Sequence, residues 1–229
     1  MTGVAGVKPG RLLGSGRSAD VYEIDETWVL RRYRHPHGDA AAEALVMGHL
    51  RDHGYPVPGV RAATRGDLVM ERLYGPTMLD ALVAGRLGPE GAGTILARLL
   101  RELHALPARR SAAPAVRILH LDLHPLNVIM AADGPRVIDW ANVEEGSPGL
   151  DWGMSAVILA QAAVVGEPHV DGVRELLGAM LAGQAGASAL TEEGLAEARS
   201  RRAANPTMSD REVEALGEAE ALVRALLQR

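Results

Sequence analysis

Between Arg117 and Trp140 the chain runs RILHLDLHPLNVIMAADGPRVIDW, and no other stretch limits its possible folds so tightly. Val128 to Ala131 and Arg136 to Ile138 are short β-prone runs separated by Ala-Asp-Gly-Pro, a combination that turns a chain back on itself. The spacing predicts a small hairpin, with Asn127 entering its first strand and Asp139 leaving its second. Two oxygen-bearing side chains then meet at one end. Such a pair suits a hard cation such as Mg²⁺, which takes few protein ligands and leaves its other positions to water or phosphate. Asp122 lies just upstream, on a loop that Pro125 keeps from becoming helix, where it can sit near the metal and take a proton from an attacking hydroxyl.

The pattern is H-x-D-x-H-x-x-N at His120, Asp122, His124 and Asn127, followed by I-D-W at Ile138 to Trp140. It resembles the catalytic loop and metal-binding segment of the aminoglycoside phosphotransferase and choline kinase branch of the protein-kinase-like superfamily. The spacing from Asp122 to Asn127 is also that of the protein-kinase catalytic loop. The resemblance implies that Asp122 is the catalytic base, that Asn127 and Asp139 hold Mg²⁺, and that His120 braces the loop. His124, two residues after the base, stands where many protein kinases carry a lysine near the transferred phosphate. Two other readings of the same residues are a plain polar coil and a transition-metal site on His120, Asp122 and His124, the latter implying a metal-dependent hydrolase. Zinc sites need three or four converging ligands, and the chain offers no cysteine to help.

With 229 residues, 47% of them hydrophobic, the chain can bury a real core in one large domain or two lobes. A formal charge of −5 argues against nucleic acid held on a broad basic face. No apolar run of transmembrane length stands out, and the N-terminus lacks the pattern of a signal peptide. Without cysteine there is no disulfide framework, so the simplest expectation is a cytoplasmic protein with no membrane partner. Lys8 is the sole lysine. A site that ordinarily uses lysine must therefore use arginine here.

Ahead of that motif, Arg11 to Leu13, Gly14-Ser15-Gly16 and Val21 to Ile24 read as strand, glycine turn and strand. Glycine lets backbone N–H groups approach a phosphate closely, so this is a candidate phosphate-covering hairpin. An ordinary glycine turn fits as well. The letters also approach G-x-G-x-x-A, but that dinucleotide motif must open a helix and be followed by an acid, whereas Val21 to Ile24 is strand-like and Arg34 is basic.

Trp28 to Tyr33 is the next strand, and the resemblance makes it the one that supplies the phosphate-pairing cation. Arg31, sharing a face with Val29 and Tyr33, is the first choice, and Arg32 is the fallback. Asp39 caps a helix to about His53 whose buried stripe is Val46, Met47 and Leu50; Glu43 falls on it and needs a cation, which Arg31 provides. The other reading of Glu43 is a side chain at the stripe's edge reaching solvent. Tyr55 to Gly59 forbids helix and leads to strands Val60 to Ala63 and Asp67 to Glu71. The resemblance then implies a hinge, with Met70 flanking an adenine and backbone groups of Glu71 and Leu73 bonding its edge. It also places Val21, Val29 and Ile138 at the nucleotide.

Past Gly75 the pattern turns helical. Thr77 to Ala84 is a short helix, and Pro89 opens another, with Ile95, Leu96, Leu99, Leu100 and Leu103 on one side, that ends before Pro107. His104, near its end, reads as structural. Asp151 opens the apolar helix Trp152 to Val165 and resembles the family's aspartate that bonds the catalytic loop from behind, though helix capping explains it too. Glu144 and Glu145 are placed to meet a cationic substrate or form a solvated charge pair. Three more helices, separated near 183–188 and at Asn205-Pro206, fill Asp171 to Arg229.

The sequence thus predicts an α+β, two-lobed protein-kinase-like fold. Residues 1–74 form a small antiparallel sheet with one helix, and residues 75–229 form a mainly helical catalytic and substrate-binding lobe. The implied activity is ATP- or GTP-dependent transfer of phosphate, with Mg²⁺, to a hydroxyl of a small molecule. A nucleotide-binding protein without catalysis is the other kinase-like possibility. Oligomeric state is not encoded in any recognisable feature.

Overall fold

The computed structural model describes residues 4, 7–16, 18–34, 38–166, 172–206 and 208–228. They divide into two compact units, Met1–Gly75 with Ile129–Val143, and Pro76–Val128 with Glu144–Arg229. In chain order the elements begin with strands β1 (Leu12–Ser15), β2 (Ala19–Glu23) and β3 (Trp28–Tyr33), helix α1 (Ala40–Asp52), and strands β4 (Val60–Ala63) and β5 (Asp67–Glu71). Helices α2 (Met78–Val83) and α3 (Pro89–Ala105) precede β6 (Arg117–Leu119), a 3₁₀ turn (Pro125–Asn127), β7 (Val128–Ala131), β8 (Gly134–Val137) and β9 (Glu144–Gly146). Helices α4 (Pro148–Val165), α5 (Val173–Ala182), α6 (Glu192–Ala203), α7 (Asp210–Glu214) and α8 (Leu216–Leu227) complete the chain.

In the first unit the sheet runs β1-β2-β3-β5-β4, antiparallel throughout. Its register sets Val21 opposite Arg31, Met70 opposite Val29 and Leu68 opposite Arg31, so these five side chains share one face. On the other face Leu30 and Val69 pack with Val4 in an apolar cluster flanked by Tyr22, Ile24 and Trp28. Burial of each large side chain there contributes about 1.5–3 kcal/mol. The first strand differs from expectation. Gly14 and Ser15 belong to β1, paired with Val21 and Asp20, and the turn closes later through the Gly16 N–H to Ala19 O bond of 2.9 Å. A side-chain bond from Ser15 Oγ to Asp20 Oδ1 of 2.7 Å extends the ladder past the glycine.

Asp39 caps α1 as predicted, its Oδ1 accepting from Ala42 N–H at 3.0 Å. The buried stripe is Ala40, Glu43, Met47 and Leu50; Val46 stands at its edge, half-buried. The β7–β8 hairpin forms, but β8 begins at Gly134, two residues before the expected run, and ends at Val137, and residues 129–143 join the first unit instead of the 75–229 lobe expected from the sequence. Val137 N–H donates to Pro56 O at 2.8 Å, and the Trp140 ring meets Tyr55 edge-on at 5.8 Å. Gly75, at φ +149°, passes so close that a Cβ would lie 2.3 Å from Met130 O.

In the second unit Pro89 occupies the first turn of α3, as read from the sequence, although Ile95 is only half-buried beside Leu96, Leu99, Leu100 and Leu103. Helix α4 starts earlier than expected. Pro148, not Asp151, opens it, because proline at the first turn loses no helical hydrogen bond. At 18 residues and mean hydropathy 1.3, α4 does reach the length and composition of a membrane-crossing helix, but 61% of it is buried inside the protein, where it packs on α5, α6 and α8. The α4–α6 crossing is so close that a Cβ on Gly194 would sit 2.3 Å from Gly149 O. The breaks near 183–188 and 205–206 fall as predicted; Asp171 lies outside the described residues. Among the described residues the tail nevertheless contains four helices rather than three, since a Ser209–Glu212 capping box starts a short α7 that only Ala215 separates from α8.

Candidate active site

Asp122, His124 and Asn127 come together in the second unit. Pro125 does more there than prevent a helix: it begins the 3₁₀ turn that carries Asn127 inward. Asn127 Nδ2 donates to Asp122 O at 2.8 Å and lies 3.3 Å from both Asp122 Oδ2 and His124 Nε2. His124 Nδ1 faces Leu126 N–H at 3.4 Å, and its Nε2 is 3.6 Å from Asp122 Oδ1. The imidazole therefore caps the turn and fixes both neighbours. His120 is fully buried, with Nδ1 accepting from Asp122 N–H at 3.2 Å, which is the bracing role inferred from the motif. Among the described residues no three His, Cys, Asp or Glu side chains are grouped to hold a metal ion. His120, Asp122 and His124 thus form no zinc-type set.

Behind this loop lies a network the sequence reading only half anticipated. Asp151, fully buried, accepts from His120 N–H at 2.9 Å and Leu121 N–H at 2.6 Å. Its carboxylate supports the loop and does not cap α4. His104, read as merely structural for want of a partner, has two: Nε2 meets Asp151 Oδ2 at 3.0 Å and Nδ1 meets Ser188 Oγ at 2.8 Å. The Ser188 hydroxyl also accepts from Trp152 Nε1 at 3.0 Å and keeps its own proton for the His104 ring. Burial pushes the Asp151 carboxyl up, but its hydrogen bond and charge interaction with His104, helped by His120, hold it below the usual value. This support secures Leu121 at φ +63°, a left-handed conformation costing about 1–3 kcal/mol for a residue with a side chain.

The first unit assembles a different cluster. Arg31, 7% exposed, is the arginine that meets α1: its NH1 contacts Glu43 Oε1 at 2.9 Å and Oε2 at 2.8 Å. Its NH2 reaches Asp139 Oδ1 at 2.9 Å. Arg32 points the other way, forked onto Asp67 at 2.7 and 2.8 Å. The edge-of-stripe alternative for Glu43 is excluded, because Glu43 is buried and also accepts from the Tyr33 hydroxyl. Burial works against the Arg31 charge, yet Glu43 and Asp139 raise its pKa well above the usual arginine value, so it stays a cation. Burial and the bond to Glu43 push Tyr33 up to about 12. Asp139 itself is at φ +62° with a side chain 41% exposed, the second strained position in the motif. Nothing in the sequence pattern signalled either strained residue.

The remaining candidates divide. Val21, Val29 and Met70 lie on the Arg31 face of the sheet, and Gly14 and Ser15 lead off the strand beside them. Arg34 pins this turn by binding Ser15 Oγ at 2.9 Å, Asp20 Oδ1 at 3.1 Å and the Gly16 carbonyl. Ile138 is half-buried just before Asp139. At the expected hinge, Glu71 N–H donates to Gly59 O at 2.7 Å and the Glu71 carboxylate accepts from Gly59 N–H, so an adenine edge would need another backbone group there; Leu73 is half-buried. Glu144 and Glu145 are not a solvated pair. Glu145 accepts from the N–H groups of Arg109, Arg110 and Ser111, and Glu144 pairs with Arg201 at 2.9 Å.

Comparison with known proteins bears on the fold that carries these arrangements. Residues 9–115 match the APH family model, described as the phosphotransferase enzyme family. The model is of the family that the motif resembles, and its match ends just before that motif. Among solved structures, the chain is similar to the aminoglycoside phosphotransferase APH(2'')-Ib with ADP bound, at TM-score 0.59 and 13% identity over 97% of this chain and 95% of that one. A choline/ethanolamine kinase family protein from Mesorhizobium loti matches at TM-score 0.59 and 18% identity, covering 98% and 95%. The streptomycin–ATP–APH(2")-IIa ternary complex matches at TM-score 0.59 and 12% identity, covering 96% and 94%. No curated protein matches the chain by sequence. The fold is therefore α+β and protein-kinase-like, and the family match with these kinase neighbours supports a phosphotransferase acting on small molecules.

Proposed function

We propose that this chain transfers the γ-phosphate of ATP to a hydroxyl of a small molecule. The observation that carries the reading is the Asp122 carboxylate, set beside Asn127 in a loop whose backbone a buried aspartate holds from behind. A general base must be presented in a fixed position and remain an acceptor, and this loop does both. In this reading Asp122 orients the acceptor hydroxyl and takes its proton. Asn127 and Asp139 hold Mg²⁺, Arg31 and the Gly14 to Gly16 segment face the phosphates, and His124 keeps Asp122 and Asn127 aligned.

The residues fit the groups they would hold. Among the described residues the Asn127 side chain bonds through Nδ2, which leaves Oδ1 as an acceptor for a cation. Asp139 has Oδ1 on Arg31 and, among the described residues, no bond at Oδ2. A Cβ on Gly14 would meet nothing within 4 Å, so the backbone there is open to a close-approaching phosphate. When bound, Mg²⁺ would supply charge neutralisation at the phosphates. ATP is favoured because solved neighbours are ATP and ADP complexes, and the streptomycin complex points to polar, hydroxyl-bearing acceptors.

The test is a thermal-shift titration of wild type and Asp139→Ala with Mg²⁺ plus ATP, Mg²⁺ plus GTP, and Zn²⁺ alone. A ligand that binds only the folded state raises its melting point. Stabilisation of wild type by Mg²⁺ with ATP, lost in Asp139→Ala, is the expected result. Stabilisation by Zn²⁺ alone would overturn the reading.

A further inference from the structure

We infer that Arg31 makes divalent-cation binding at Asp139 conditional on a phosphate-bearing ligand, so that cation and nucleotide load together. The inference rests on the phosphotransferase reading, and concerns how that site is controlled. One guanidinium serves two carboxylates: NH1 is spent on both oxygens of Glu43, and NH2 on Asp139 Oδ1. Glu43 is buried and has a second donor in Tyr33. Asp139 is half-exposed, held among the described residues by this arm alone, and sits in a strained conformation. Of the three charged groups it is the one free to change partner.

A divalent cation arriving alone could take Oδ2 only beside the guanidinium that holds Oδ1, and to use both oxygens it would have to draw Asp139 from Arg31. That leaves NH2 of a buried arginine without its acceptor and places two cations side by side, both unfavourable. A phosphate oxygen removes both penalties at once. It accepts from NH2 in place of Asp139 and lies as an anion between the guanidinium and the metal. Each ligand therefore improves binding of the other, by reciprocity of the coupling. Lysine at this position would behave differently, because a compact ammonium has no second rigid arm with which to hold Asp139 while gripping Glu43. With Arg31 in place, the nucleotide-free protein keeps one oxygen of its metal carboxylate engaged and a positive charge beside it.

The experiment measures Mn²⁺ binding to the full chain without nucleotide, from the free-ion electron paramagnetic resonance signal. Wild type should bind weakly, and Arg31→Lys about tenfold more tightly, within the usual range of such couplings. Arg31→Gln, which removes the charge, should also bind more tightly and covers the case in which the lysine variant does not fold. Adding Asp139→Asn to either should cancel the gain. Equal Mn²⁺ affinity in wild type and both variants, or a gain that survives Asp139→Asn, overturns the proposal. Failure of the functional reading looks different: wild type would then show no melting shift with Mg²⁺ and ATP, whatever the Mn²⁺ comparison gives. That outcome would overturn the phosphate half of the inference while leaving the cation half to the Mn²⁺ result.

Discussion

Two buried carboxylates, Asp151 and Glu43, are held by opposite strategies. Asp151 is surrounded by donors that have nowhere else to go: two backbone N–H groups and the His104 ring, itself anchored on Ser188. Glu43 shares its cation with Asp139, a residue open to solvent. The first arrangement is complete within the protein and fixes the backbone of the candidate catalytic loop. The second spreads one positive charge over two negative ones, one of which faces solvent. The first suits a backbone that must stay still, the second a carboxylate that can change partner.

Substitutions can break this contrast. The largest stability loss should come from Asp151→Ala, at about 3–5 kcal/mol, because it leaves two buried N–H groups and an imidazole without their acceptor. Arg31→Met should cost less, about 2 kcal/mol, since Glu43 retains Tyr33 and its carboxyl, already pushed up by burial, can take a proton. Ser188→Ala should cost only about 1 kcal/mol, at the far end of the chain of bonds. Urea denaturation at neutral pH checks all three. Acid sharpens the comparison further. Asp151 has a folded pKa below its unfolded value, so its contribution is fully present above about pH 4 and is lost as pH falls through the lowered value. Urea midpoints measured from about pH 5 down to pH 3 should show this component in wild type and not in Asp151→Asn.

Much of the arrangement was legible from the sequence, for identifiable reasons. The β7–β8 hairpin and the Arg31–Glu43 pair follow from local periodicity: turn residues between β-prone runs, and an acid on a helix stripe that demands a cation. Alternation also distinguished Arg31 from Arg32. What could not be read depends on contacts between distant segments. His104 lies 47 positions from Asp151 and 84 from Ser188, and nothing in a helix-terminal histidine announces either partner. The left-handed Leu121 and Asp139 carry ordinary side chains, so their strain is visible only once the surrounding structure enforces it. Glu144 and Glu145 looked like a free acidic pair because their partners, Arg201 and the 109–111 backbone, lie 57 and 34–36 positions away.

The central claim is that Asp122 serves as the base in phosphoryl transfer, and one measurement addresses it most directly. Wild type and Asp122→Asn are each incubated with γ-labelled ATP, Mg²⁺ and a panel of small hydroxyl-bearing acceptors, with nucleotide binding followed in parallel. The account predicts labelled product from wild type, and from Asp122→Asn unchanged nucleotide binding with turnover lower by about two orders of magnitude or more. Near-normal turnover in Asp122→Asn would contradict it.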